Sequence, residues 1–265
     1  MSETRTIRIA DLTSYDFRRL VQEGPPVVLL PVGSIEQHGP HLPLSTDVIL
    51  PEEIAMRVAA RMGALVAPPV SYGYKSQPKT GGGNHFPGTL SLDASTLIAM
   101  LRDVMNELVR HGIRHIVVFD GHMENQWFIT EAIDLMLRDQ RREGIDTVRA
   151  IKLGYWEFIT PATEEVLFPD GLVSWALEHA AVMETSVMLH LRPDLVRAEL
   201  IPDHPPAEFP PFDPYPFDLS TIPEDGVLSS AASATAQKGR MVVEQVVPDL
   251  SLIHISEPTR QEAIS

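Results

Sequence analysis

Short apolar runs rich in β-branched residues alternate with longer stretches of helical period along most of this chain, and few architectures accept that rhythm. Pro26 to Val32 and Arg114 to Asp120 read as buried strands, with shorter or weaker ones at Ala64 to Pro68 and Val148 to Leu153. Between and after them, helices are expected over Pro51 to Met62, Ala94 to His111, Gln126 to Glu143 and about Trp175 to Leu191. Ser91 and Asp93 offer caps before the second of these helices, and Gly112 ends it. Strand–helix alternation predicts an α/β fold with a mostly parallel central sheet and helices on both faces, where sites collect at the carboxyl ends of strands.

Two stretches break the rhythm. Ser71 to Gly88 is a Gly-rich loop without a phosphate-binding pattern, expected as a lid or substrate loop. Ile201 to Pro223 holds eight of the 23 prolines and is expected to be an extended surface segment. No repeat or internal boundary appears, so one domain is expected over 1–265, with about 250–265 as a divergent or foreign tail.

Composition narrows the chemistry. The chain has no cysteine, which excludes a disulfide framework, an iron–sulfur cluster, a thiolate metal site and a cysteine nucleophile. Any metal must sit on His, Asp or Glu. A formal charge of −15 disfavours nucleic acid as a partner. The absence of a signal core or a membrane-length apolar run suggests neither membrane association nor export, and a cytoplasmic location.

The chemistry concentrates behind the two strongest strands. After the first comes Gly33-Ser34-Ile35-Glu36-Gln37-His38-Gly39-Pro40-His41, then Asp47; after the second comes Gly121-His122-Met123-Glu124-Asn125. Each stretch holds a carboxylate and an imidazole two residues apart, which extended backbone turns to the same side. Any one of these residues alone would pass for a solvated loop group. Together, Glu36, His38, Asp47, His122 and Glu124 form a set of hard oxygen and borderline nitrogen donors suited to Zn²⁺ or Mn²⁺. Two divalent ions carry +4, which three carboxylates and one hydroxide neutralise, so two ions fit better than one. Water on such ions is acidified toward neutrality while a carbonyl is polarised, and the expected reaction is hydrolysis of an amide-like bond. His41 is expected to support the ligands, Asp120 to cap its turn, and Trp127 to fill the core.

Downstream, Trp156 follows a strand, and Trp175, Glu178, His179 and Glu184 follow one another closely. On a helix starting at Trp175, residues 175, 178 and 179 share one face. The tryptophans as core fillers, with His179 paired locally, is the plainer assignment. A pocket walled by two aromatics beside a titratable histidine would instead suit a flat, cationic or heteroaromatic substrate.

The stretches PVGSIEQHGPHLPLSTDVILP, YGYKSQPKTGGGNHFPGTLSLD, FDGHMENQWFI, GYWEFI and WALEHAAVMETSVML resemble the creatininase (creatinine amidohydrolase) family over about residues 7–245. The E-Q-H-G…D and G-H-x-E-N motifs mark the family; the GGGNHFPGT loop, the two tryptophans and the E-H pair point to its creatininase subgroup. The resemblance implies a three-layer α/β/α sandwich, a homohexamer, and two Zn²⁺ and/or Mn²⁺ ions per chain. It implies Glu36 and His122 on one ion, His38 and Glu124 on the other, and Asp47 bridging. It places Trp156, Trp175, Met123 and Thr80 at the substrate, and His179 as the proton-transferring group with Glu124 and Glu178 as catalytic partners. Met123 stands where the family carries a tyrosine. The implied activity is reversible opening of creatinine by water to creatine. Hydrolysis of another cyclic amide, a formamide or a short peptide is the alternative, as is a non-catalytic, metal-loaded maturation partner.

Overall fold

The computed structural model describes residues 7–252. Four parallel strands form one sheet: β1 (Val27–Val32), β2 (Leu65–Val66), β3 (His115–Asp120) and β4 (Arg149–Gly154), in the order β2-β1-β3-β4. Register is continuous from Val27↔His115 to Val32↔Asp120 and from His115↔Arg149 to Asp120↔Gly154, so β1, β3 and β4 end level with one another. The helices are α1 (Ser14–Glu23), α2 (Thr46–Met62), α3 (Pro78–Gly81), α4 (Ala94–Arg110), α5 (Gln126–Arg142), α6 (Pro161–Leu167), α7 (Val182–Leu191) and α8 (Ala236–Ser251).

Alternation along the strands divides the core in two. Leu29, Val117 and Phe119 face a layer built from α2, α7 and α8, where they meet Ile54, Val187 and Val246. Val28, Leu30, Ile116 and Val118 face α4 and α5, against Leu101, Met105 and Ile129. Both faces of the sheet are covered, which explains strands that read as unbroken apolar runs. Each fully buried Leu or Ile contributes roughly 1.5–3 kcal/mol, and both layers therefore hold the strand ends firmly in register.

The structure extends one expected helix and breaks another. Pro51 does not start α2 but lies inside it, since the helix begins at Thr46. The expected helix over Trp175 to Leu191 is a 3₁₀ turn at Trp175–Leu177, an irregular stretch, and then α7 from Val182. Ala180 adopts φ 53°, the only positive φ of a non-glycine among the described residues, which ends any helical run through Glu178 and His179. Trp127 is 73% exposed rather than core, because it sits on the outer face of the first turn of α5. The Pro-rich segment is extended apart from a 3₁₀ turn at Leu219–Thr221. The tail expected to diverge lies mostly in 253–265, outside the described residues, while Leu250 and Ser251 close α8. No helix among the described residues is long and apolar enough to cross a membrane.

Candidate active site

The site forms where β1 and β3 end and α2 begins. The first turn of α2 is wedged between the two strand ends: a Cβ on Gly33 or on Gly121 would lie 2.2 or 2.3 Å from the Asp47 carbonyl oxygen. Only glycine on both sides admits this approach. It sets Asp47 between the segments carrying Glu36–His38 and His122–Glu124, at a helix N-terminus that favours negative charge.

Asp47 then reaches both imidazoles. Its Oδ1 lies 2.9 Å from His38 Nε2 and its Oδ2 3.0 Å from His122 Nδ1. Glu36 Oε2 is also 3.0 Å from His122 Nδ1. On the far side of His38, Glu184 Oε2 lies 3.7 Å from Nε2. The donor atoms fall into compact sets within 4.8 Å: Glu36, Asp47 and His122; His38, Asp47 and Glu184; and Glu36, His38 and His179. Asp47 belongs to two of them, one oxygen toward each histidine.

This geometry offers a second glutamate beside the pairing that the family resemblance implies. Glu184, which sequence reasoning left outside the ligand set, stands beside His38. Glu124 lies on the other side of the site, where its Oε2 is 3.5 Å from His122 Nδ1 and its Oε1 accepts hydrogen bonds from the Gln77 backbone N–H (3.1 Å) and the Thr80 hydroxyl. Thr80 thus meets Glu124 while lining the same pocket. Met123–Asn125 is a 3₁₀ turn and not extended backbone, yet His122 and Glu124 still come within 3.5 Å of each other.

Outer partners fix both rings. His38 Nδ1–H donates to the Glu36 carbonyl at 3.2 Å and His122 Nε2–H to the Tyr74 carbonyl at 3.0 Å, which leaves His38 Nε2 and His122 Nδ1 to face the carboxylates. Tyr74 is held in turn by buried Asn125, whose Oδ1 accepts from the Tyr74 N–H and whose Nδ2 donates to the Gly33 carbonyl. His41 meets the Thr185 hydroxyl at 2.8 Å, next to Glu184, in the supporting position expected for it. Asp120 Oδ1 accepts from the His122 N–H at 3.1 Å and caps its turn. Asn125, Gln77 and Thr185 had no distinctive spacing by which a sequence could single them out; only packing reveals them.

The site is buried and rich in carboxyl groups. Glu36, His38, Asp47 and His122 are each at most 3% exposed. Burial pushes the Glu36 carboxyl up to about 8 despite the pull of His122. Burial disfavours charge on His38, yet Asp47 and then Glu184 outweigh it and hold the imidazole near 10. The same convergence of carboxylates is what a divalent cation would satisfy. Glu36 Oε1 is buried without a hydrogen-bond partner, and His38 Nε2 and Asp47 Oδ2, though 2.9 and 3.0 Å from their ionic neighbours, lack hydrogen-bond geometry to them. Polar atoms so placed normally find a partner, and these three are all donors of the two sets that share Asp47. Oxygen and imidazole donors without thiolate fit zinc or manganese.

Above the donors lies a pocket lined by Thr80, Met123, Glu124, Trp156, Trp175, Glu178 and His179. Trp156 follows β4 in a 3₁₀ turn and folds back over Gly154, where a Cβ would strike its ring at 2.4 Å. Trp175 is braced edge-on by Phe168 at 6.0 Å. His179 packs on His38, ring centroids 4.4 Å apart; burial, then the neighbouring His38, hold it well below the usual imidazole range. Burial pushes the Glu178 carboxyl up to about 8, against the Met183 N–H that it accepts. Glu178 and His179 therefore reach the pocket from an irregular stretch and not from a shared helical face.

A buried, bridged set of carboxylates and imidazoles at the strand ends of an α/β/α sandwich is the arrangement of a two-cation hydrolytic centre. The chain belongs to the creatininase family, whose creatinine amidohydrolase model matches residues 10–253. It is 47% identical to the creatinine amidohydrolase of Pseudomonas putida over 94% of this chain and 96% of that protein. A mycofactocin precursor peptide peptidase of Mycolicibacterium smegmatis is 32% identical over 84% of this chain and 81% of that protein. Among solved structures, a glutamate-to-glutamine mutant creatininase complexed with creatine superposes with a TM-score of 0.91 at 46% identity, covering 93% of this chain and 96% of that one. Zn–Zn and manganese forms of creatininase match equally well, with TM-scores of 0.92 and 0.91.

Proposed function

We propose that this chain hydrolyses creatinine to creatine, reversibly, at a two-cation centre. The observation that carries the proposal is the pair of donor sets sharing Asp47 beneath a pocket walled by Trp156, Trp175 and His179. Glu36, Asp47 and His122 would hold one ion, and His38, Asp47 and Glu184 the other. When bound, such ions acidify water and polarise a carbonyl.

The remaining steps belong to side chains. Creatinine is flat and carries a guanidine-like group, so Trp156 and Trp175 bind it by stacking and orient its ring carbonyl toward the donors. Glu124, steadied at Oε1 by Gln77 and Thr80, takes a proton from the attacking water. The proton taken by Glu124 passes to His179, which delivers it to the ring nitrogen as the carbonyl carbon–nitrogen bond breaks, and the open product is creatine. Incubating the zinc- or manganese-loaded protein with creatinine and following creatine tests the assignment; a protein with two ions per chain that forms none would overturn it.

Binding and chemistry should separate on substitution. Trp175→Ala is expected to raise KM about tenfold, the worth of one lost stacking contact, with kcat near wild type. His179→Ala is expected to lower kcat by about 10² to 10⁴, the usual contribution of a proton-transferring side chain. Metal content should be unchanged in both, as steady-state kinetics beside metal analysis will show.

Met123 reports on substrate choice. It lines the pocket where the family resemblance sets a tyrosine. Met123→Tyr adds a hydroxyl able to make one hydrogen bond, and kcat/KM for creatinine is expected to rise roughly two- to tenfold. If the wild type is inert on creatinine and this variant is active, the substrate assignment falls and a related small amide takes its place.

The same resemblance supports a homohexamer acting in the cytoplasm as a single domain. Light scattering on the purified protein checks the assembly: a monomer would contradict it.

A further inference from the structure

Gln37 lies between two proposed ligands but makes no contact of that kind. Its side-chain amide is buried, 5% exposed, and every polar atom of it is accounted for. Oε1 accepts the Gly39 N–H at 2.9 Å, which fixes which end of the amide is oxygen. Nε2 lies 2.9 Å from the Gly81 carbonyl and 2.9 Å from the Gly226 carbonyl, and an amide nitrogen has two hydrogens to give. A third neighbour, His179 Nε2, also stands 2.9 Å from Gln37 Nε2. No hydrogen remains for it. His179 Nε2 is, however, 2.9 Å from the Gln37 main-chain carbonyl, which can only accept. A lone pair at His179 Nε2 would face that oxygen's lone pairs; an N–H there satisfies it.

We propose that Gln37 is a positioning residue that holds the His179 ring through its Nε2–H and fixes the neutral imidazole as that tautomer. This rests on the hydrolytic role given to His179 above. The ring's two nitrogens cannot both be bare or both carry hydrogen in the neutral form, so engaging Nε2 with Gln37 decides the state of Nδ1.

The surroundings are built around this amide. A Cβ on Gly82 would sit 2.9 Å from Gln37 Nε2 and one on Gly226 would sit 2.3 Å from Oε1. Both glycines have left-handed backbone, φ 75° and 77°. The Gly-rich loop therefore closes on Gln37 through Gly81 and Gly82, and the 226 turn closes from the other side. Both anchors hold residue 37 so that its carbonyl meets the His179 ring.

The test is the nitrogen NMR of ¹⁵N-histidine-labelled, zinc-loaded protein, with the His179 pair assigned by its absence in His179→Ala. A pyrrole-type signal at Nε2 and a pyridine-type signal at Nδ1 are expected; the reverse pattern overturns the proposal whatever the activity on creatinine, whereas absent creatinine turnover with the expected pattern overturns only the substrate. Gln37→Met keeps length and removes both anchors. It is expected to lower kcat about tenfold or more with KM within about threefold, to retain zinc, and to show mixed His179 tautomers. A Gln37→Met protein with wild-type kcat and a single, unchanged His179 tautomer would refute the role of the side chain. Should this variant lose zinc or fold poorly, the wild-type spectrum still decides.

Discussion

Asp47→Ala should lower affinity at both ion sites at once and remove turnover by about a thousandfold or more, the equivalent of several kcal/mol of lost cation-assisted stabilisation. A carboxylate about 4 Å from a divalent charge is worth on the order of 8 kcal/mol at an effective dielectric near 20, before hydration is deducted. Even a quarter of that, about 2 kcal/mol, is roughly thirtyfold in affinity. Asp47 presents one oxygen to His38 and the other to His122, at 2.9 and 3.0 Å, so the deficit falls on both sides. The wedge that places it is made of backbone, Gly33 and Gly121 against the Asp47 carbonyl, and survives truncation of the side chain. Chelator competition with zinc, read per site, will check this. A variant weakened at one site only would make Asp47 a terminal ligand and not a bridge.

Much of this was legible before any coordinates. Apolar runs of strand length between helical-period segments specified a parallel sheet, and the strand ends at Val32 and Asp120 located the chemistry, because side chains just past level parallel strands share one edge. What could not be read was how the chain bends after those ends. Extended backbone was assumed through His122 and Glu124, but a 3₁₀ turn at Met123–Asn125 rotates Glu124 toward Gln77 and Thr80. Likewise a continuous helix was assumed through Glu178 and His179, and no glycine or proline in that stretch signals otherwise. The break at Ala180, φ 53°, is held by local side-chain bonds: the Ala180 N–H donates to Glu184 Oε2 at 2.6 Å, and the Met183 N–H to the Glu178 carboxyl. Backbone that should feed a helix is instead tied to two pocket carboxyls. Gln37 and Asn125 stayed silent for a different reason. An amide in a motif has no spacing rule, and its role exists only in the set of partners around it.

The break at Ala180 also decides which glutamate completes the second ion site, and this is where the largest contrast between two substitutions is expected. Glu184→Gln should leave about one zinc per chain under a chelator that wild type resists, with turnover down by about a thousandfold, since losing a second ion forfeits several kcal/mol of stabilisation. The amide keeps an oxygen but loses the charge that faces His38 at 3.7 Å. Glu124→Gln should keep both ions and lose turnover nearly as far, because its Oε1 is already taken by Gln77 and Thr80 and its missing charge is needed to accept a proton. The two variants therefore match in activity and differ in metal content, a split that metal analysis on equal protein resolves. The opposite result, one ion lost from Glu124→Gln and two retained by Glu184→Gln, would restore the His38–Glu124 pairing that the family resemblance implies. Glu124 would then serve through Oε2, which already lies 3.5 Å from His122 Nδ1 while Oε1 stays with Gln77 and Thr80.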